Sequence, residues 1–196
     1  PSLVGSEMCI RDRGYILGIS CGYHDSAASL IKDGRVLGAC EEERFTGIKH
    51  DNSFPIKSIS FLYAKNKVQK DDIDAICFYE NPQLKLDRIK ESTKRGPWWN
   101  YFTRRRIIKR NKKEYDKLHT TLNSITGKNT KIIFSDHHSS HINYSYLTSP
   151  FEEANILSID GVGEWETTVL ATGNKNKIQK IESINFPHSL GMLYSS

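Results

Sequence analysis

Three short strands in a row, between Tyr15 and Cys40, constrain this chain more than any other feature. Tyr15 to Cys21 (YILGISC) is apolar, rich in β-formers and closed by Gly22, which predicts a buried strand. Ala27 to Ile31 and Arg35 to Cys40 flank Asp33-Gly34, a dipeptide that supplies the positive φ angles of a tight hairpin turn. The period then changes. Pro55 fits a helix's first turn, and Ile56, Ile59, Leu62 and Tyr63 follow at helical spacing. Ile73 to Tyr79 (IDAICFY) predicts a strand, a largely helical basic stretch spans about 83–126 and closes with Gly127, and Lys131 to Phe134 (KIIF) predicts another strand. Asp136 stands where a helix N-cap belongs, opening HHSSHINYSYL. Ile156 to Ile159, Thr167 to Thr172 and Ile178 to Ile184 complete the β-like runs. The order is that of an α/β protein.

Composition narrows the class. At 196 residues, with 26% charged and 37% hydrophobic residues, the chain has a core to bury, and no apolar run reaches the ~18 to 20 residues of a membrane span. Cys9, Cys21, Cys40 and Cys77 stand singly, which excludes a zinc-finger or disulfide framework and makes a reducing cytoplasm the expected compartment. The net charge of +5 is local. From Lys85 to Lys117 there are 13 Lys and Arg against four acids, so the rest of the chain is acidic. With Trp98, Trp99, Tyr101 and Phe102 beside it, this stripe could grip nucleic acid, or an anionic small molecule or oligosaccharide. The favoured expectation is a solvated helical face with its aromatics packed inward, and no nucleic-acid partner.

Four segments carry chemistry. In Asp136-His137-His138-Ser139-Ser140-His141, residues 137 and 141 are four apart, so on a helix they share a face and can hold one metal. A helix N-terminus also disfavours imidazolium, which suits a neutral ligand. In Asp160-Gly161-Val162-Gly163-Glu164, a strand delivers a carboxylate beside backbone that can approach a phosphate closely. His137, His141 and Asp160 together form a two-histidine, one-carboxylate set that fits Fe(II), with Zn(II) or Mn(II) as rivals. Gly18 to Ala28 (GISCGYHDSAA) is a small-residue turn presenting His24 for hydrogen bonding or proton transfer. Glu41-Glu42-Glu43-Arg44-Phe45 leaves a strand and precedes Lys49-His50-Asp51, where Lys49 can meet a nucleotide phosphate. Runs of three acids are ordinarily surface.

Taken in order, GISCGYHDSAA, EEERFTGIKHD, SDHHSSH, SIDGVGE and FPHSLGMLYS resemble the N-terminal lobe of the O-carbamoyltransferase family of nodulation-factor and antibiotic carbamoyltransferases. The element order is likewise similar to the first lobe of the ribonuclease-H-like superfold of actin, sugar kinases and Hsp70. A more distant likeness is to the tRNA threonylcarbamoyl-transfer enzymes. The family resemblance implies a two-step reaction. A separate C-terminal domain makes carbamoyl-adenylate from carbamoyl phosphate and ATP, and the kinase-like domain passes the carbamoyl group to a hydroxyl of a small-molecule or glycan acceptor. Carried over by motif, His137, His141 and Asp160 are iron ligands, His24 the catalytic histidine, Lys49 an ATP contact, and Gly22 a neighbour of the acceptor or carbamoyl group. An ATP-dependent kinase of the same superfold would bind magnesium through acids and would not need the histidines.

Both ends bear on these expectations. Pro1 to Arg13 (PSLVGSEMCIRDR) resembles a spurious leader of translated environmental reads, with the native chain expected to begin near Gly14 or Tyr15. PHSLGMLYSS, Pro187 to Ser196, stops within what reads as an ordered segment. The chain is therefore expected to be a fragment, 14–196 being the N-terminal part of the kinase-like domain. The second lobe, a further metal carboxylate and the adenylate-forming domain would lie beyond Ser196, leaving the chain inactive alone.

Overall fold

A computed structural model describes residues 14–94, 101–125, 127 and 130–196, with 101 and 104 as backbone only. The proposed leader and Trp98 and Trp99 lie outside these residues. The fold is α/β, in two compact units. One contains the described residues up to Phe78 together with His119–Ile133, and the other contains Tyr79–Leu118 and Phe134–Ser196.

The first unit is built on a five-stranded sheet. Strands β1 (Tyr15–Ser20), β2 (Ala27–Lys32) and β3 (Arg35–Glu41) pair antiparallel, and β1 pairs parallel with β4 (Ile73–Phe78). With β5 (Lys131–Phe134) the order is β3-β2-β1-β4-β5, a mixed sheet. The hairpin turns where expected, with φ of 50° at Asp33 and 76° at Gly34. Register places Leu17 opposite Leu30 and beside Ile76, all three fully buried. A short helix α1 (Glu43–Thr46) follows β3, and α2 (Ile56–Asn66) packs on β2 and β3 through the buried Ile59 and Leu62. Gly38 makes that approach possible, since a Cβ there would lie 2.9 Å from Leu62 Cδ2. Pro55 caps α2 instead of entering its first turn, and Ile56 is exposed.

The basic stretch forms α3 (Pro82–Lys94) and α4 (Tyr101–Ser124). Along α4 the less exposed positions, Ile108, Asn111, Tyr115, Leu118 and the buried Leu122, recur at helical spacing, and the described Lys and Arg side chains are exposed. On α4 a solvated basic face is what the charge pattern predicts, whereas Lys85, Arg88 and Lys90 of α3 are only part-exposed, and Phe102 also departs from the expectation. It is 81% exposed, because it lies off the inward stripe. Among the described residues no helix is long and apolar enough to cross a membrane.

In the second unit, β6 (Glu153–Ile159), β7 (Glu166–Asn174) and β8 (Lys177–Asn185) form an antiparallel meander. Helix α5 (His137–Leu147) lies on β6 and β7, and Ile142, Tyr146, Ile156, Val169 and Ala171 make the core between them. A last helix, α6, spans Leu190–Ser195.

Candidate metal centre

Helix α5 begins where Asp136 can cap it. The Asp136 carboxylate accepts from the Ser139 N–H at 2.7 Å and the Ser139 hydroxyl at 2.6 Å. Burial pushes this carboxyl up, but the two Ser139 donors and Lys180, 3.2 Å away, outweigh it and leave it below the usual range. The helical period then stacks His137 and His141, whose Nε2 atoms lie 3.1 Å apart. At that separation only one of the two nitrogens can carry a proton, so at least one lone pair faces the space between them.

Asp160 closes the set from the end of β6. Its backbone N–H donates to the Thr167 carbonyl at 2.9 Å, and its carboxylate accepts from the Gly161 N–H at 2.6 Å. Its Oδ2 lies 2.5 Å from His137 Nε2 and 3.8 Å from His141 Nε2. One ligand atom from each of the three residues falls within 4.8 Å of the others. Burial raises the Asp160 carboxyl, but the His137 contact, the Gly161 N–H and the charges of both histidines hold it below the ordinary range. Burial, followed by repulsion from His137, lowers the His141 imidazole. A neutral imidazole beside an ionised carboxylate is the donor chemistry a divalent metal needs, so the residues fit the group.

The supporting contacts are specific. His138 is fully buried between the Ser158 hydroxyl (2.8 Å) and the Glu166 carbonyl (2.9 Å). Because a carbonyl only accepts, Nε2 of His138 carries the proton and Nδ1 accepts from Ser158, and burial lowers this imidazole further. His138 is therefore a packing residue, not a third imidazole ligand. Glu164, 5% exposed, accepts from the His137 N–H at 3.0 Å and the Asn81 N–H at 2.6 Å. Nothing in the local sequence marks Glu164, because its role follows from its burial. Gly163 sits where a Cβ would come within 3.2 Å of both His137 and His138. Gly191 is tighter, since a Cβ there would be 2.4 Å from the Asp160 carbonyl oxygen, while the Ser189 hydroxyl donates to Gly161 O at 2.7 Å. FPHSLGMLYS thus braces the Asp160 loop.

The other predicted site residues belong to the first unit. Gly22 (φ 92°) needs the left-handed conformation that favours glycine, and its N–H donates to Asn52 O at 3.0 Å. His24 is exposed, with Nδ1 2.8 Å from Asp25 Oδ2, and Lys49 is exposed next to His50. Asp25 also reaches His50, so a carboxylate joins two histidines that lie far apart in the sequence. The acid run is not all surface either. Glu42 is 1% exposed and accepts from the Ser58 N–H and hydroxyl and from the Lys57 N–H, which caps α2 from a distance.

Residues 15–196 match the family described as Carbamoyltransferase N-terminus. The chain belongs to that family. Nodulation protein NolNO of Sinorhizobium fredii is 32% identical over 87% of this chain and 24% of its own length. An uncharacterised protein of Synechocystis sp. is 41% identical over 93% of the chain and 31% of its own. A third relative, uncharacterised, from Methanocaldococcus jannaschii, is 32% identical over 92% and 29%. The chain thus spans about a quarter to a third of the length of these relatives. Among solved structures, YeaZ from Pseudomonas aeruginosa is similar at a TM-score of 0.45 and 11% identity, covering 89% of this chain and 68% of that one.

Proposed function

We propose that this chain supplies the metal-binding half of a carbamoyl-transfer site. A hydroxyl of a small-molecule or glycan acceptor would take the carbamoyl group from carbamoyl-adenylate, itself made from carbamoyl phosphate and ATP. The observation that carries the reading is the convergence of His137, His141 and Asp160, in a member of this family, on a site two nitrogens and a carboxylate can share. These residues would hold Fe(II), with Zn(II) or Mn(II) as rivals. The metal would supply Lewis-acid polarisation of carbamoyl or phosphate oxygens. His24 takes the acceptor's hydroxyl proton as a new bond joins that oxygen to the carbamoyl carbon, and the bond to AMP breaks with its electron pair leaving on AMP. Lys49 neutralises nucleotide phosphate, and Gly22 leaves room beside the carbamoyl group, since a Cβ there would meet nothing within 4 Å. The order β3-β2-β1-β4-β5, with its antiparallel start, supports a ribonuclease-H-like first lobe. The second lobe and the adenylate-forming domain would come from the additional length its relatives have.

The test is metal binding by the 196-residue chain under anaerobic conditions, followed by calorimetry and elemental analysis. One Fe(II) is expected per chain, and His141→Ala should lower affinity ~10- to 100-fold or more, with the fold retained. Equal binding by wild type and variant would remove the assignment. In a protein of the relatives' full length, carbamoyl phosphate and ATP should release pyrophosphate, whereas a kinase would release ADP.

A further inference from the structure

A second cluster, outside the metal centre, joins two loops of the first unit. The Asp25 carboxylate uses both oxygens. Oδ2 lies 2.8 Å from Nδ1 of His24, and Oδ1 lies 2.8 Å from Nδ1 of His50. Exposed ion pairs contribute little stability, and these three side chains are 41% to 62% exposed, so folding alone gives no strong reason to build the bridge. The backbone nevertheless commits to it. Asp25 (φ 51°) and His50 (φ 56°) are both non-glycine residues held in the left-handed region, a strained conformation kept where the surroundings impose it. The surroundings here are two backbone hydrogen bonds between the loops, Gly22 N–H to Asn52 O at 3.0 Å and Ser26 N–H to Asp51 O at 2.8 Å. Below them the buried Asp51 accepts from Thr46 and Ser53. Glu43 fixes the far end, accepting the His50 N–H at 3.0 Å.

We infer that Asp25 is a positioning residue for His24 and that His50 is the second hydrogen-bond partner that holds Asp25 in place. A carboxylate can only accept, so His24 must carry its proton on Nδ1, which leaves the lone pair on Nε2. Among the described residues Nε2 of His24 makes no hydrogen bond to protein. A base facing a bound hydroxyl needs that tautomer, with its Nε2 lone pair open to the acceptor. The inference rests on the proposed role of His24 for its consequence, but not for its geometry.

The test reads the tautomer directly, by two-bond nitrogen–carbon-proton correlations on the 196-residue chain labelled with 15N-histidine, at a pH where His24 is neutral. Wild type is expected to show protonated Nδ1 and bare Nε2 at His24. Asp25→Asn is the matched variant, because asparagine tolerates the left-handed backbone and preserves the loop. It should shift His24 toward the Nε2–H tautomer while the amide signals of Ser26 and Asp51 stay in place. His50→Asn should shift the same equilibrium less. A wild-type His24 already protonated on Nε2, or one whose tautomer Asp25→Asn does not change, overturns the inference. A His24→Ala protein of full length that kept carbamoyl transfer would instead sink the catalytic role, with the tautomer result standing.

Discussion

Glu42 shows how much a single buried acid can do. It sits in a run of three glutamates that reads as surface, yet its carboxylate receives three donors at the start of α2, a helix whose own cap residue, Pro55, offers no side-chain acceptor. Glu42→Ala strands those donors, so the variant should lose about 2–3 kcal/mol of stability, read from urea denaturation. A change below ~0.5 kcal/mol would mean that water replaces the carboxylate. Asp25 and His50 make a pH prediction of the opposite kind. The hydrogen bond and charge of Asp25 raise His50, and the hydrogen bonds of His50 and then His24 lower Asp25. A raised histidine stabilises below its unfolded pKa of ~6.5 and loses that contribution as pH climbs through its folded value. A depressed aspartate stabilises above ~3.9 and loses its contribution as pH falls through its folded value. The pair therefore acts fully only between roughly pH 4 and 6.5. Asp25→Asn should bring the His50 titration down toward the ordinary range, followed by proton NMR of the ring, and an unmoved titration would show that the contact is absent in solution.

At the scale of elements, each feature was legible where a local rule sets it. Asp33-Gly34 marks the hairpin turn, because both positions need positive φ. Asp136 marks the start of α5, because an N-cap must accept from the third residue on, and the helical period then predicts that His137 and His141 meet. Asp160 was placed by its position at the end of a strand, but nothing local says that the strand brings it against α5. Glu164, Glu42 and the Asp25 bridge were illegible for the same reason, since each joins segments from separate parts of the sequence. The packing of α5 on its sheet offers a test at this scale. Gly173 in β7 lies where a Cβ would be 2.5 Å from the Tyr146 ring, and the Tyr146 hydroxyl donates to Glu152 O at 2.6 Å, so the ring cannot swing away without losing that bond. Gly173→Ala gains up to ~1 kcal/mol from chain entropy but must pay about 1–3 kcal/mol for overpacking. The net expectation is destabilisation, seen as a lower denaturation midpoint, and a stabilised variant would show that α5 can shift.

For the molecule as a whole, one face of the three-stranded sheet carries exposed apolar side chains among the described residues. Leu157 and Leu170 are directly opposite across β6 and β7, with Glu182 beside Leu170 on β8, while Ile159 and Ile184 flank Thr168, which is buried. Leu157, Ile159, Leu170 and Ile184 are 61%, 49%, 36% and 37% exposed, although the other face of the same sheet is a buried core. Contiguous apolar surface of this kind mediates association in soluble proteins. The 196-residue chain should therefore bind a hydrophobic dye and self-associate as concentration rises, measured by fluorescence and by light scattering after size exclusion. Leu157→Thr with Ile159→Thr keeps β-propensity while removing apolar area, so the double variant should be more monomeric, with folding stability changed by no more than ~1 kcal/mol. Loss of folding in that variant would reveal these side chains as part of the core. Unchanged association would move the contact elsewhere, with the exposed Met192, Leu193 and Tyr194 of α6 the next residues to replace. The face also separates two requirements on the chain. The proposed metal-binding residues lie on α5 and in the loop after β6, so Leu157→Thr alone, which leaves Ile159 beside Asp160 unchanged, should bind metal with wild-type affinity even as association falls.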